Sequence, residues 1–128
     1  VQQQCTELGI QEAVIMVGSK TNTEDYYQAM DVFVFPSLWE GLGIVAIEAQ
    51  ANGLPCLVSE NVPREAVLTE NTKVLSLQSR GEWLDELKKV SVGERMQTEN
   101  NSIQQYDICT IADRLQQFYL EQHEKVRR

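Results

Sequence analysis

The stretch that decides the fold runs from Phe33 to Ser59 and reads FVFPSLWEGLGIVAIEAQANGLPCLVS. It contains an apolar run ending at Pro36, a short glycine-bearing loop, a helical segment ending near Gly53, and a second apolar run. Two strands joined through one helix form a right-handed crossover of a parallel sheet, and ligands of such sheets bind at the carboxyl ends of the strands. The loop from Pro36 to Gly43 is therefore predicted to lie on the ligand side.

Strands and helices alternate along the rest of the chain. We predict strands at Ala13 to Val17, Val32 to Phe35 (the central strand), Cys56 to Val58 and Thr72 to Leu77, and helices at Glu24 to Met30, Gly43 to Ala51, Glu82 to Val90 and Ile108 to His123. A polar helical stretch precedes them and ends near Gly9, and Glu94 to Gln105 has weaker helical character. The alternation predicts an α/β fold with a Rossmann-like parallel sheet flanked by helices.

Composition narrows the functional classes. The chain has 128 residues, 42% of them apolar, which is typical of one globular domain. Its net charge of −8 argues against nucleic acid as a partner, because phosphate backbones are bound by clustered Lys and Arg. No apolar run reaches the length of a membrane span, and we expect an intracellular protein. The three cysteines are expected to be reduced thiols packed as small apolar groups, and the single histidine, His123, to be solvated.

Two carboxylates flank a glycine-rich loop inside the central stretch. Glu40 lies in the loop and Glu48 on the following helix, with Gly41 and Gly43 between them. The glycines allow a ligand to approach the backbone, and the amides from Leu42 to Ile44 lie at the positive end of the helix, where phosphate oxygens bind. Carboxylates accept hydrogen bonds from sugar hydroxyls. The pattern therefore suggests a ligand that carries both phosphate and sugar.

A purely structural interpretation of the same residues is equally compatible with their spacing. Glu40 and Glu48 could be first-turn acids that interact favourably with the helix dipole, with both glycines serving only the turn. Because Glu and Gly are common residues, spacing alone does not separate the two interpretations.

The segment FPSLWEGLGIVAIEAQANGLPCLVS resembles the donor-binding region of the retaining glycosyltransferase family 4, which has a GT-B fold and two Glu residues separated by seven others. The similarity extends to VIMVG, DVFVFPS, SENVPREAVLTENTKVLSL and YDICTIADRLQQFY, and so covers nearly the whole chain. The later segments also resemble bacterial capsular and exopolysaccharide members of that family. Residues 1–128 are thus expected to be the C-terminal nucleotide-sugar-binding domain of such an enzyme.

The resemblance implies a role for each matched residue. Glu40 is the expected catalytic-site acid that contacts the transferred sugar, and Glu48 is expected to bind the ribose of a UDP- or GDP-sugar. The expected sugar and diphosphate contacts are the backbone groups of Gly41, Leu42, Gly43 and Ile44. The resemblance implies no metal and no other cofactor. Gly18, Ser19 and Lys20 could contact the base or phosphates, or could form an ordinary loop at a strand end.

The resemblance also implies parts that the sequence does not contain. The family's diphosphate-binding Arg and Lys and its N-terminal acceptor domain would precede Val1, so we expect a partial domain that begins inside a larger protein and is inactive alone. The expected partners are a nucleotide-sugar and a saccharide or lipid-linked acceptor. The expected location is the cytoplasm, with peripheral association of the full-length enzyme at the inner face of the membrane left open.

Two other functions remain open from the sequence, a GT-B sugar-nucleotide epimerase and a noncatalytic nucleotide-binding or interaction module.

The sequence also leaves the positions of individual aromatic residues open. Trp39 could line the sugar pocket or pack under the loop. The remaining aromatic residues at helical spacing are predicted to be core or docking residues: Tyr26, Tyr27, Trp83, Phe118 and Tyr119.

Overall fold

A three-stranded parallel sheet forms the centre of the domain. The computed structural model describes residues 1–91, 93, 95 and 101–126. Within this part, β1 (Phe33–Phe35), β2 (Cys56–Ser59) and β3 (Thr72–Leu75) are hydrogen-bonded in that spatial order. Phe33 pairs with Cys56, and Cys56 pairs with Thr72. The prediction of a Rossmann-like parallel sheet flanked by helices is confirmed.

The predicted helices are all present, with boundaries shifted by a few residues. They are α1 (Gln2–Glu7), α2 (Thr23–Ala29), α3 (Ile44–Ala51), α4 (Arg80–Lys89), α5 (Asn101–Gln104) and α6 (Ile108–Val126), with single 3₁₀ turns at Gln11–Ala13 and Arg64–Ala66. Helix α3 connects β1 to β2 and is the crossover that the central stretch predicts. Of the weakly helical region at 94–105, residues 94 and 96–100 lie outside the described residues.

The core lies between α3 and the sheet. Every residue of β2 is buried, and α3 contributes Ala46, Ile47 and Ala49 to the same cluster. Small residues on α3 allow the helix to lie close to the strands. Burial raises the pKa of the Cys56 thiol to about 12, so it remains a neutral, apolar group. Cys5 is also buried, whereas the prediction of a packed thiol is wrong for Cys109, which is exposed.

Two of the predicted strands differ from the structure. Ala13 belongs to a 3₁₀ turn, and Val14 to Val17 lie outside the described sheet with exposed side chains. An apolar run becomes a strand only where a neighbouring strand accepts its backbone hydrogen bonds, and none of the described strands pairs with this run. The predicted central strand, which is β1 in the structure, lies at the edge of the described sheet, and its residue Val34 is partly exposed. The central strand is β2.

The side chain of Gln50 on α3 is fully buried and joins the crossover helix to the chain between β2 and β3. Its Nε2 donates to the carbonyls of Ala46 at 2.8 Å and Ala66 at 2.7 Å. Its Oε1 accepts from the amides of Leu68 at 2.7 Å and Thr69 at 3.1 Å. The Thr72 hydroxyl donates to the same oxygen at 2.9 Å. A fully bonded buried amide of this kind fixes both segments.

Arg95 joins the carboxyl-terminal ends of α2 and α3. Its guanidinium donates to the carbonyls of Tyr27 and Met30 at 2.9 Å each, and to that of Asn52 at 2.9 Å. Helix ends leave carbonyls without intrahelical partners, and a cation is favourable there because of the helix dipole. Arg95 therefore holds the two helices at a fixed relative position.

The aromatic residues divide between core and surface. Tyr27 is buried, which confirms its prediction as a core residue. Phe118 and Tyr119 on α6 are exposed, so the core alternative is wrong for them and docking remains a prediction. His123 on the same helix is exposed, as predicted. Within the described residues, no helix has the length and apolarity required to cross a bilayer.

We expect Gln50→Leu to destabilise the domain by about 3 kcal/mol or more, because the substitution leaves several buried backbone groups without partners. For a domain of this size that corresponds to a decrease in Tm of roughly 10 °C, which calorimetry measures. Gln117→Leu on the exposed surface of α6 is the matched control and should change stability by less than about 0.5 kcal/mol. Equal stabilities of the two variants would show that the network is not needed.

Candidate functional site

The loop after β1 is held in place by two serine hydroxyls. Ser59, at the end of β2, donates to the backbone carbonyl of Ser37. The Ser37 hydroxyl in turn donates to Oε1 of Glu40 at 2.7 Å and lies 3.0 Å from the carbonyl of Trp39. The half-buried carboxylate of Glu40 is therefore oriented by a neighbour that is itself anchored to the sheet.

Gly43 makes the turn from this loop into α3. It is the N-cap of the helix and has a φ of 78° and a ψ of 48°, the left-handed conformation that L side chains rarely adopt. A Cβ built there would lie 3.5 Å from Val62 Cγ1 and 4.0 Å from Glu40 Cγ, which are ordinary contacts. The backbone conformation, rather than a lack of space, therefore requires glycine. Gly41 differs, because its φ is not positive and its Cβ would meet nothing within 4 Å.

The N-terminus of α3 has no side-chain cap. The N-cap Gly43 has no side chain, and no side chain caps the helix; the first turn also contains no acidic residue. This contradicts the interpretation of Glu40 and Glu48 as first-turn acids, because Glu40 precedes the helix and Glu48 is its fifth residue. The amides of the first turn and the helix dipole create a partial positive charge at this end.

Glu48 is exposed and accepts a hydrogen bond from the core. The Tyr27 hydroxyl on α2 donates to Glu48 Oε2 at 3.0 Å. Burial, reinforced by the hydrogen bond to Glu48, raises the pKa of Tyr27 to about 12. The phenol consequently keeps its proton and acts as a donor to the carboxylate across the physiological pH range.

Glu48 lies in a cleft of about 770 Å³ between α3 and the segment that leads from α5 into α6. The α3 side of this cleft also carries Leu42 and Ile44, two of the predicted backbone contacts. The opposite side is formed by Ile103, Gln104, Tyr106, Asp107 and Thr110. Tyr106 fixes this wall because its hydroxyl donates to the carbonyl of Glu65 at 2.9 Å. A cleft of this volume is large enough for a small organic ligand.

A second cleft, of about 380 Å³, contains two of the three residues predicted near the base or phosphates. Gly18 and Lys20 line it together with Val45, the second residue of α3, whereas Ser19 is not among its lining residues. Tyr27 also lines this cleft, while its hydroxyl reaches the carboxylate of the larger one. The structure therefore brings Gly18 and Lys20 to the beginning of α3, although the strand predicted before them is not formed.

The assembled site combines complementary groups. Glu40 and Glu48 are acceptors for hydroxyl groups, and the uncapped start of α3 is a donor site for phosphate oxygens.

The family model for glycosyl transferases group 1 matches residues 1–98. The chain belongs to the group 1 glycosyltransferases. The family resemblance of the sequence is thereby confirmed, and the assignment to the retaining family 4 is consistent with it.

Curated relatives of this group 1 glycosyltransferase chain are themselves named as glycosyltransferases, and one is named for lipopolysaccharide core biosynthesis. The UDP-Gal:alpha-D-GlcNAc-diphosphoundecaprenol alpha-1,3-galactosyltransferase of Escherichia coli is 38% identical over 52% of the chain and 17% of the relative. The lipopolysaccharide core biosynthesis mannosyltransferase LpsB of Rhizobium meliloti is 35% identical over 47% of the chain and 17% of the relative. EpsF of Bacillus subtilis, named provisionally as a glycosyltransferase, is 28% identical over 77% of the chain and 26% of the relative. The chain thus spans about a quarter or less of their lengths.

The sequence pattern of this glycosyltransferase did not predict the contacts or placement of three residues near the site. The sequence pattern gave Ser37 no role in the site, yet its hydroxyl donates to Glu40. Tyr27 was predicted to be only a core or docking residue, yet it donates to Glu48 from 21 positions away. The interpretation that Trp39 packs under the loop is wrong, because the side chain is 90% exposed. The bond between Ser37 and Glu40 could have been predicted from the sequence, because the two residues are only three positions apart. No local pattern in the sequence predicts the contact between Tyr27 and Glu48.

We expect Gly43→Ala to lower the free energy of unfolding by about 1 to 2 kcal/mol, the cost of the left-handed conformation for an L residue. Gly41→Ala is the matched control, and it should change stability by less than about 0.5 kcal/mol because its Cβ enters open space. Urea denaturation of the two variants measures the difference. Equal losses would contradict the conformational role assigned to Gly43.

Proposed function

We propose that this chain is the donor-binding part of a retaining glycosyltransferase that moves a sugar from a UDP- or GDP-sugar to a saccharide or lipid-linked acceptor in surface polysaccharide synthesis. Glu48 binds the ribose hydroxyls and Glu40 contacts hydroxyls of the transferred sugar. The backbone of Gly41, Leu42, Gly43 and Ile44 holds the sugar and the diphosphate. The named functions of the relatives support this class of donor and acceptor.

The observation that carries the proposal is the uncapped N-terminus of α3, with Glu40 before it and Glu48 after it in the chain. The Glu40 side chain lies next to the N-cap Gly43, and Glu48 follows one turn into the helix. A diphosphate with a sugar at each end suits this arrangement. Its phosphate oxygens need hydrogen-bond donors, and the hydroxyls of its two sugars need acceptors. A nucleotide-sugar has this arrangement, with ribose on one side of the diphosphate and the transferred sugar on the other.

The proposed chemistry breaks the bond between the anomeric carbon and the diphosphate oxygen. The nucleoside diphosphate leaves with the electron pair, the acceptor oxygen bonds to the anomeric carbon, and the proton of the acceptor hydroxyl passes to the departing diphosphate. Negative charge therefore grows on the departing diphosphate, next to the amides at the start of α3. Donors that are already oriented toward this charge stabilise the transition state more than the ground state.

The proposal extends to partners and location. The partial positive charge at the helix N-terminus attracts the diphosphate, and the proposal includes no metal and no other cofactor. We therefore expect donor binding to be unchanged by a chelator. Gly18, Ser19 and Lys20 contribute to the base or phosphate subsite, and an N-terminal acceptor domain supplies the second wall of the site. The reaction takes place in the cytoplasm, at the inner face of the membrane where the acceptor is lipid-linked.

We expect Glu48→Ala to weaken binding of both free UDP or GDP and the corresponding nucleotide-sugar by about ten- to a hundredfold, because charge-assisted hydrogen bonds to the ribose are lost. Glu40→Ala should leave free nucleotide binding within about twofold and weaken only the sugar-bearing donor. Isothermal titration calorimetry with UDP, GDP and their sugars measures these differences.

Glu82→Ala on α4 serves as the control, since Glu82 is an exposed glutamate outside the site. It should bind every ligand as the unmodified chain does. Equal losses for both ligands in both site variants would contradict the separate roles of Glu40 and Glu48. A chain that binds no nucleotide at all would instead favour the noncatalytic interaction module. Conversion of the donor sugar to its epimer by the full-length protein, without an acceptor, would favour the epimerase.

A further inference from the structure

Tyr27 connects the core of the domain to the exposed carboxylate of Glu48. Its side chain is only 6% exposed, and its hydroxyl lies 3.0 Å from Glu48 Oε2. A glutamate on a helix surface has several rotatable bonds, and ordering a free carboxylate on binding a ligand costs conformational entropy. A donor fixed in the core removes part of that cost before the ligand arrives.

The position of the Tyr27 ring is determined by contacts on two sides. The ring packs edge-to-face on Phe33 of β1, with a centroid distance of 5.8 Å, and belongs to the buried cluster around β2. Its backbone carbonyl accepts from Arg95, which also bonds to the carbonyl of Asn52 at the end of α3. The helix that bears Tyr27 and the helix that bears Glu48 are thus held together. The phenol can therefore restrict the orientation of the carboxylate.

We propose that Tyr27 is a positioning residue that holds Oε2 of Glu48 and thereby presents the carboxylate to the ribose hydroxyls of the nucleotide. This inference rests on the proposed function, in which Glu48 binds the ribose. Tyr27 acts on the ribose through Glu48, and its effect on the ribose is separate from the smaller cleft that its side chain also lines. The consequence is a preference for ribonucleotides over 2′-deoxyribonucleotides that depends on the Tyr27 hydroxyl.

The test is Tyr27→Phe, which keeps the buried ring and removes only the hydroxyl. Binding of UDP and 2′-deoxy-UDP, and of GDP and 2′-deoxy-GDP, is measured by calorimetry. We expect the variant to bind the ribonucleotide about three- to tenfold more weakly and to lose most of the ribose preference. Affinity for the 2′-deoxynucleotide and for inorganic pyrophosphate should stay within about twofold of the unmodified chain.

Tyr119→Phe is the matched control. It also removes a tyrosine hydroxyl, one on the exposed surface of α6 and outside both clefts, and should change neither stability nor the ribose preference. In a Glu48→Ala background, Tyr27→Phe should cause no further loss of ribonucleotide affinity, because the group that it positions is absent. This comparison does not depend on the stability of either single variant.

The outcomes separate the inference from the function on which it rests. If the unmodified chain binds UDP or GDP with a ribose preference and Tyr27→Phe retains that preference, the positioning role is wrong while the proposed function stands. If Tyr27→Phe weakens ribonucleotide binding equally in the presence and absence of Glu48, its role is structural. If the unmodified chain binds no nucleoside diphosphate, both are overturned.

Discussion

The buried amide of Gln50 is the interaction on which the geometry of the site depends. It bonds to the backbone on both sides, within α3 and along the chain that leads into β3. Glu48 and Gln50 are two residues apart on α3, which corresponds to a rotation of about 200° around the helix axis. Because Gln50 points into the core, Glu48 faces away from it. The same rotation leaves Glu48 at the surface of the larger cleft. Packing thereby fixes the direction in which the carboxylate faces.

The two site carboxylates share one design, in which a hydroxyl anchored to the fold donates to each of them. Ser37 donates to Glu40, and Tyr27 donates to Glu48. Both donors leave the carboxylates able to accept further hydrogen bonds, since an ionised carboxylate has about four acceptor positions. Between them the start of α3 has no side-chain cap and no acid in its first turn. Orientation of groups before a ligand binds is the main way a protein reduces the entropic cost of recognition.

Local patterns predicted the crossover and its helix well, because Pro36, Gly43 and Gly53 mark boundaries that follow from backbone chemistry. The loop and α3 therefore lie where the sequence indicates. Apolar runs predicted strands less well, since Val14 to Val17 have no pairing partner in the described sheet. The contacts that orient the site were not predictable. Tyr27 meets Glu48 from 21 positions away, and Gln50 meets Thr72 from 22, so both depend on packing that no local spacing encodes.

The most direct test of the central claim, that a nucleoside diphosphate binds at the uncapped N-terminus of α3, is a nitrogen-15 chemical-shift titration of the chain with UDP and with GDP. We predict that the largest amide shifts occur at Gly41, Leu42, Gly43 and Ile44 and saturate with one binding constant, while the amides of α4 and of the carboxyl-terminal half of α6 remain unchanged. Saturable shifts that are confined to other parts of the domain, or no shifts with either nucleotide, would contradict it.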